Sequence, residues 1–176
     1  EYSHYIAALE FSMARVATVR ALTIACALWP LREFRSMYRE GLTWLQRVLV
    51  LLDEETPADL AADVLHGAGR LSMDISEYTA ADTYLREFLR LARLTGSLST
   101  VADAVGSVGV LAYYRRDYDA AERHFLESMA IREQLGEYGA IARSLNNLAV
   151  IAHEQGNPVL ASEYQERSLG YFLEVG

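Results

Sequence analysis

Side chains of the same kind stand 40 residues apart along most of this chain, and that period limits the folds open to it more than any single motif. Tyr38, Tyr78 and Tyr118 obey it, as do Gly41, Ala81, Ala121 and Ala161 at a small-residue position. Leu45, Leu85 and Phe125 follow four residues after the small residue, and Gly96, Gly136 and Gly176 close successive units. Trp29, Gly69, Gly109 and Ala149 share one further site. A period of this length implies a supersecondary unit repeated in tandem, each copy burying its apolar face against the next.

Residues 101–136 show what the unit is. Val101, Val105, Val108 and Ala112 fall on one helical stripe. Tyr118, Ala121, Phe125, Met129 and Leu135 fall close to a second, and the short polar Arg115-Arg116-Asp117 separates them. The reading is a helix, a tight turn and an antiparallel second helix, with Gly136 placed to cap it in the left-handed conformation. Three prolines and abundant Ala and Leu favour helix throughout. The expected fold is all-α, a right-handed solenoid of about four antiparallel helical hairpins.

Taken in order, a stripe from Tyr2, Tyr5, Ile6, Leu9, Met13, Val16 and Ala17 into Ala21, Ile24, Ala25 and Leu28 predicts a helix broken near Trp29 by Pro30. The units fall at about 14–56, 57–96, 97–136 and 137–176 within a single repeat domain spanning 1–176. The first is an atypical end repeat, because bulky Trp29 stands where later units have glycine. Thr56 is placed to cap the second unit, with Pro57 at the first helical position and Asp59 near the positive helix end. Ser97 or Ser99 begins the third unit. The turns are Ser76-Glu77-Tyr78, Arg116-Asp117-Tyr118 and Gly156-Asn157-Pro158. No interior linker is long enough to separate two domains.

Composition narrows the partners. Sixteen basic against 24 acidic residues give a net charge of −8, which argues against direct nucleic-acid binding and against an anionic membrane surface. The apolar run at residues 21–31 is too short to span a bilayer and lacks a signal peptide's basic start. Cys26 is the sole cysteine, so no intrachain disulfide can form, and its Ala-Leu-Ile surroundings read as core. Without an initiator Met, and ending on a unit-closing glycine, the chain reads as a piece of a longer, cytoplasmic protein.

The pattern resembles the tetratricopeptide repeat. Val105, Val108, Gly109, Ala112, Tyr118, Ala121, Phe125 and Ser128 stand at that family's eight characteristic places in the third unit. Leu65, Ala68, Gly69, Ser72, Tyr78, Ala81, Leu85 and Phe88 do so in the second, with Ser72 and Phe88 the clearest departures. Leu145, Leu148, Ala149, Ala152, Pro158, Ala161, Gln165 and Ser168 complete the fourth. The 40-residue version, with Ser144-Leu145-Asn146-Asn147-Leu148-Ala149 and Gly156-Asn157, is similar to kinesin light chain repeats. With Trp29 and Tyr38-Arg39-Glu40-Gly41-Leu42-Thr43-Trp44-Leu45, it is more similar to the C-terminal repeats of bacterial ATPase-containing transcriptional and signalling regulators. The resemblance implies a sensing or protein-binding arm attached to an effector.

Stacked hairpins line a concave surface with their first helices, so function is expected in exposed residues there. By repeat position these are Asp63, His66, Arg70, Met73, Asp74, Asp103, Val110, Tyr113, Tyr114, Arg143, Asn146, Asn147, Val150 and His153. Asn146 and Asn147 offer donors and acceptors to a peptide backbone, Tyr113 and Tyr114 broad amphipathic surfaces, and Arg70 and Arg143 partners for carboxylates. The same polar residues can instead satisfy neighbouring repeats. The lysine-and-asparagine clamp used by some family members is not carried over, since Gly106 and Val110 occupy part of its place.

Catalytic and metal chemistry finds little support. His4, His66, His124 and His153 lack ligand spacing, and His153-Glu154 has no second histidine at Asn157. Ser107, Ser128 and Ser144 have no nucleophile elbow, and Gly106-Ser107-Val108-Gly109 lacks a phosphate loop's lysine. The expectation is a noncatalytic module without metal or cofactor, binding a protein or peptide or sensing a signal. The alternatives are a scaffold packed on another domain of the same chain, an ATPase or DNA-binding effector, and a small-molecule sensor. Exposed repeat ends add a route to oligomers.

Overall fold

The computed structural model describes residues 38–175, together with His4, Ala7, Ala8, Glu10, Phe11, Thr23 and Ile24. The helix break at Pro30, the core reading of Cys26, the register of Trp29 and the closing role of Gly176 lie outside the described residues. Seven helices are bounded within them: α1 Tyr38–Leu49, α2 Ala58–Asp74, α3 Tyr78–Thr95, α4 Leu98–Tyr114, α5 Tyr118–Leu135, α6 Tyr138–Glu154 and α7 Pro158–Val175. No strand occurs among the described residues. The chain forms two compact units, Glu1–Thr95 and Gly96–Gly176.

Side-chain pairings establish the hairpins. In α2 and α3, His66 stacks on Phe88 with ring centroids 4.7 Å apart, while Gly69 lies against Leu85. In α4 and α5, Gly106 lies against Ser128, Gly109 against Phe125 and Tyr113 beside Tyr118, so contacts advance along one helix as they retreat along the other. That is antiparallel packing. Ser128 Oγ donates to the Ala102 carbonyl at 2.8 Å, and Ser168 Oγ repeats the bond to Ala142 at 2.9 Å one period later. Each hydroxyl fixes the sliding register of its hairpin.

The turns explain why short connections suffice. Ser76, Arg116 and Gly156 stand at equivalent places with φ of 63°, 61° and 77°, so each chain reversal uses one left-handed residue. Gly136 has φ 68° and caps α5, its N–H directed to the carbonyls of Arg132 and Glu133. Asp117 accepts from Ala120 N–H, and Asn157 accepts from Leu160 N–H at 3.2 Å at the head of α7. Ser97 caps α4 as the sequence suggests, accepting from Thr100 N–H. Thr56 does not cap α2: its hydroxyl accepts from Asp53 N–H and donates to Asp53 Oδ1 at 2.7 Å. The acidic residue three positions upstream competes for the hydroxyl and closes a separate turn, leaving α2 without a side-chain cap.

In the unit Glu1–Thr95, Leu42, Leu45 and Val48 of α1 meet Val64, Ala68 and Leu71 of α2, with Tyr38 and Trp44 packed around them. Fully burying such a side chain contributes about 1.5–3 kcal/mol. In the unit Gly96–Gly176, Ala121, Phe125 and Met129 of α5 meet Ile141, Leu145, Leu148 and Ile151 of α6. The second stripe expected through Leu135 ends earlier: Leu135 is exposed, and the last buried turn of α5 belongs to Arg132.

Candidate recognition surfaces

The amphipathic pattern that buries Ile141, Leu145 and Leu148 turns the opposite face of α6 to solvent. Arg143, Asn146, Val150 and His153 are exposed along it, and Asn147 is half-buried at its edge. These five follow helical spacing and offer a cation, two amides, an imidazole and an apolar centre on one strip. In α4 the corresponding residues are more enclosed. Val110 and Tyr113 pack against the α5–α6 core, Tyr114 is exposed with its ring edge-on to Tyr113, and Asp103 is held by Arg132.

In α2 the expected surface is mixed. Asp63 and Asp74 are exposed, while His66 and Arg70 are half-buried, His66 through its stack on Phe88. Met73 is only 4% exposed and faces the core. The structure therefore gathers five expected residues into one open face on α6 and leaves the α2 and α4 sets partly engaged.

The cluster that sequence reading missed surrounds Arg132. Its guanidinium, almost wholly buried, donates to Asp103 Oδ1 from Nη2 and to Glu137 Oε2 from Nη1. Ser99 Oγ donates to the other Glu137 oxygen at 3.0 Å. This fastens the start of α6 to α4 and α5. The visible signal was an arginine where the equivalent positions hold Ala92 and Phe172, followed by an acid just past the capping glycine. At the other end of α6, the Tyr118 hydroxyl donates to Glu154 at 3.1 Å, and Gln155 donates to Asp119 at 3.2 Å. Desolvation, reinforced by the Glu154 bond, raises the Tyr118 phenol above its usual range.

Between α6 and α7 lies a pocket of about 260 Å³ lined by Ala149, Val150, His153, Pro158, Ala161 and Gln165. His153, Ser162 and Gln165 bring its hydrogen-bonding side chains. Among the described residues, no group of three or more His, Cys, Asp or Glu is arranged to hold a metal. No helix among them is long and apolar enough to cross a membrane.

Repeated antiparallel hairpins with a small residue at each crossing define the class as a tetratricopeptide-like, all-α helical repeat. The sequence carries the signature itself: the tetratricopeptide repeat family model matches residues 100–174, so this stretch is a tetratricopeptide repeat array. The fold is similar to BtubC (BKLC) from P. vanneervenii, at 16% identity and TM-score 0.77 over 96% of this chain and 72% of that one. RapI in its apo form is similar at 13% identity and TM-score 0.75, over 99% and 71%. A Podosopora anserina protein described as a kinesin light chain with nearly identical TPR-like repeats is similar at 16% identity and TM-score 0.69, over 95% and 85%. A search of curated proteins finds no significant match.

Proposed function

We propose that this chain is a noncatalytic recognition module, binding a protein or peptide, within a larger cytoplasmic regulator of the signalling or transcriptional kind. The observation that carries the reading is the open face of α6, where Arg143, Asn146, Asn147, Val150 and His153 stand on one strip whose apolar back is locked into the core. A rigid helix displaying unlike polar groups at fixed spacing suits an extended peptide, because the groups are ordered before the ligand arrives. Fold similarity to other repeat proteins supports the class of function and not its target. The units 14–56, 57–96, 97–136 and 137–176 belong, in this reading, to one repeat domain.

The test is affinity capture from the source-cell lysate with residues 1–176 and with the parent protein, followed by titration of the recovered partner. Saturable binding by residues 1–176, weakened about tenfold in Asn147→Ala and Tyr114→Ala without loss of helical signal, is the expected result. Binding by the parent alone, or indifference to both substitutions, rejects the α4–α6 groove as the site.

A further inference from the structure

Each hairpin of the unit Gly96–Gly176 has its own internal fastening, and the joint between the two hairpins is tied separately at its two ends. Ser128 bonds α5 to α4, and Ser168 bonds α7 to α6. Across the joint the seam of α5 and α6 is apolar, and apolar contact is nondirectional, so directional bonds at the ends set where α6 starts and stops. Tyr118 and Asp119 of α5 bond Glu154 and Gln155 at the C-terminal end of α6, and both bonds are exposed. At the N-terminal end the tie is Glu137, with one oxygen on Arg132 and the other on Ser99.

Three features set the Glu137 tie apart. Its arginine is enclosed, the Arg132 side chain being 9% exposed, so water and salt screen the pair little. Gly136 and Glu137 alone join α5 to α6, and a Cβ built on Gly136 would have no neighbour within 4 Å, so packing does not hold the connection. Glu137 also does not serve its own helix. One period earlier Ser97 turns its hydroxyl onto the first turn of α4, whereas Glu137 makes no side-chain bond to α6 and directs its carboxylate back to the α4–α5 hairpin.

Arg132 has a second acid besides. Asp103 of α4 takes its other Nη group, so the buried guanidinium remains paired when Glu137 leaves it. A buried arginine with a single acid would be stranded on opening, at a large cost in stability. Two acids on one arginine remove that obstacle. The node can release α6 without unfolding α4 and α5.

We propose that Arg132, Asp103 and Glu137 form a releasable clasp, which decides whether the α6–α7 hairpin opens together with α4 and α5 or separately from them. Arg132 is the positioning residue, Asp103 its standing partner and Glu137 the member that departs. Because α6 also carries Arg143, Asn146 and Asn147, departure of Glu137 loosens that strip while the α4–α5 hairpin stays folded. The clasp is independent of what the strip binds.

Amide hydrogen exchange of residues 1–176, followed by NMR, tests this in variants that share both chain ends. Glu137→Gln is expected to speed exchange at Leu145 and Leu148 of α6 about tenfold and to leave Val105 and Phe125, of α4 and α5, within about twofold. Ser99→Ala, which frees the other Glu137 oxygen, speeds the same α6 amides about threefold. In an Arg132→Met background the effect of Glu137→Gln shrinks below about threefold, because the partner is already gone. Equal acceleration in all the helices overturns the proposal, since the unit then opens as one body. So does a full tenfold effect that persists with Arg132→Met, since the carboxylate then acts on the positive end of α6 rather than through the clasp. Unchanged α6 amides in Glu137→Gln and Ser99→Ala overturn it as well.

Discussion

The hairpins of α2 with α3 and of α4 with α5 obey the same register yet hold it by different chemistry. In the first, Phe88 fills the crossing and stacks on His66 at an interplanar angle of 13°. In the second, the equivalent pair is Ser128 and Gly106, and the crossing is secured by the Ser128 hydroxyl on the Ala102 carbonyl. A helical repeat conserves the distance between axes, and either one large flat contact or one small directional bond can meet it. The exchange works because both members of the pair change size together.

The comparison can be broken most sharply at Phe88, which is 1% exposed. Phe88→Ala should lower stability by about 3–5 kcal/mol, read as a shift in the urea midpoint, because Phe88 stands where the other hairpin has the serine hydroxyl and its loss leaves a cavity at the crossing. Ser128→Ala should cost only about 0.5–1.5 kcal/mol. Comparable losses at the two sites would show that the stack and the hydroxyl bond contribute equally.

Glycine at the crossing gives the next largest effect. A Cβ at Gly69 would fall 2.5 Å from Leu85 Cδ2 and 2.7 Å from Leu85 Cγ, whereas at Gly109 the nearest atom, Phe125 Cε1, is 3.1 Å away. Leu85 is fully buried and cannot swing clear without disturbing its neighbours. Gly69→Ala should therefore cost about 1–3 kcal/mol by overpacking despite alanine's better helix propensity, and Gly109→Ala less. Thermal denaturation of the two variants side by side tests the ranking.

Ser72 offers a test in the opposite direction. It is fully buried, and its hydroxyl has no hydrogen-bond partner among the described residues, while the equivalent positions hold Ala112 and Ala152. Ser72→Ala should raise stability by about 1–3 kcal/mol, by removing a desolvated polar group. A loss of stability on denaturant titration would mean that the hydroxyl is satisfied in solution.

The smallest effect lies on the outer face of α3. Arg90 binds Glu87 through two N–H groups, and this bond holds the Glu87 carboxyl below its ordinary range against the opposing effect of burial. A depressed carboxylate adds stability above its unfolded pKa and loses that contribution as pH falls through the folded value. Glu87→Gln should thus be less stable at neutral pH by no more than about 0.5 kcal/mol, because the pair is exposed. The difference should vanish in acid, as urea midpoints over a pH series would show.

The period was legible because packing between helices demands small and large residues at fixed places, and those demands appear directly as Gly69, Gly109, Leu85 and Phe125. What a position faces was less legible. Met73, Tyr113 and His153 are equivalent in register, yet one is buried, one half-buried and one exposed. Repetition specifies where a side chain lies on its helix, whereas its surroundings depend on neighbours that do not repeat. Polar groups within reach of several partners were harder still. Thr56 bonded to Asp53 rather than to the helix it precedes, and Arg132 found two acids separated from it in sequence by different distances. The candidate face on α6 was visible as Arg143, Asn146, Asn147, Val150 and His153 because amphipathic spacing alone separates it from the core.

The cap of α7 bears on how this fold ages chemically. Asn157 holds the first turn by accepting from Leu160 N–H, a bond that isoaspartate formation would break by rerouting the main chain through the side-chain carbon. Asparagine ordinarily loses its amide when the backbone nitrogen of the next residue attacks the side-chain carbonyl and closes a succinimide ring. Here the next residue is Pro158, whose nitrogen carries no hydrogen to give up. The residue that caps the helix is thus shielded by its neighbour from the commonest spontaneous route to aspartate and isoaspartate.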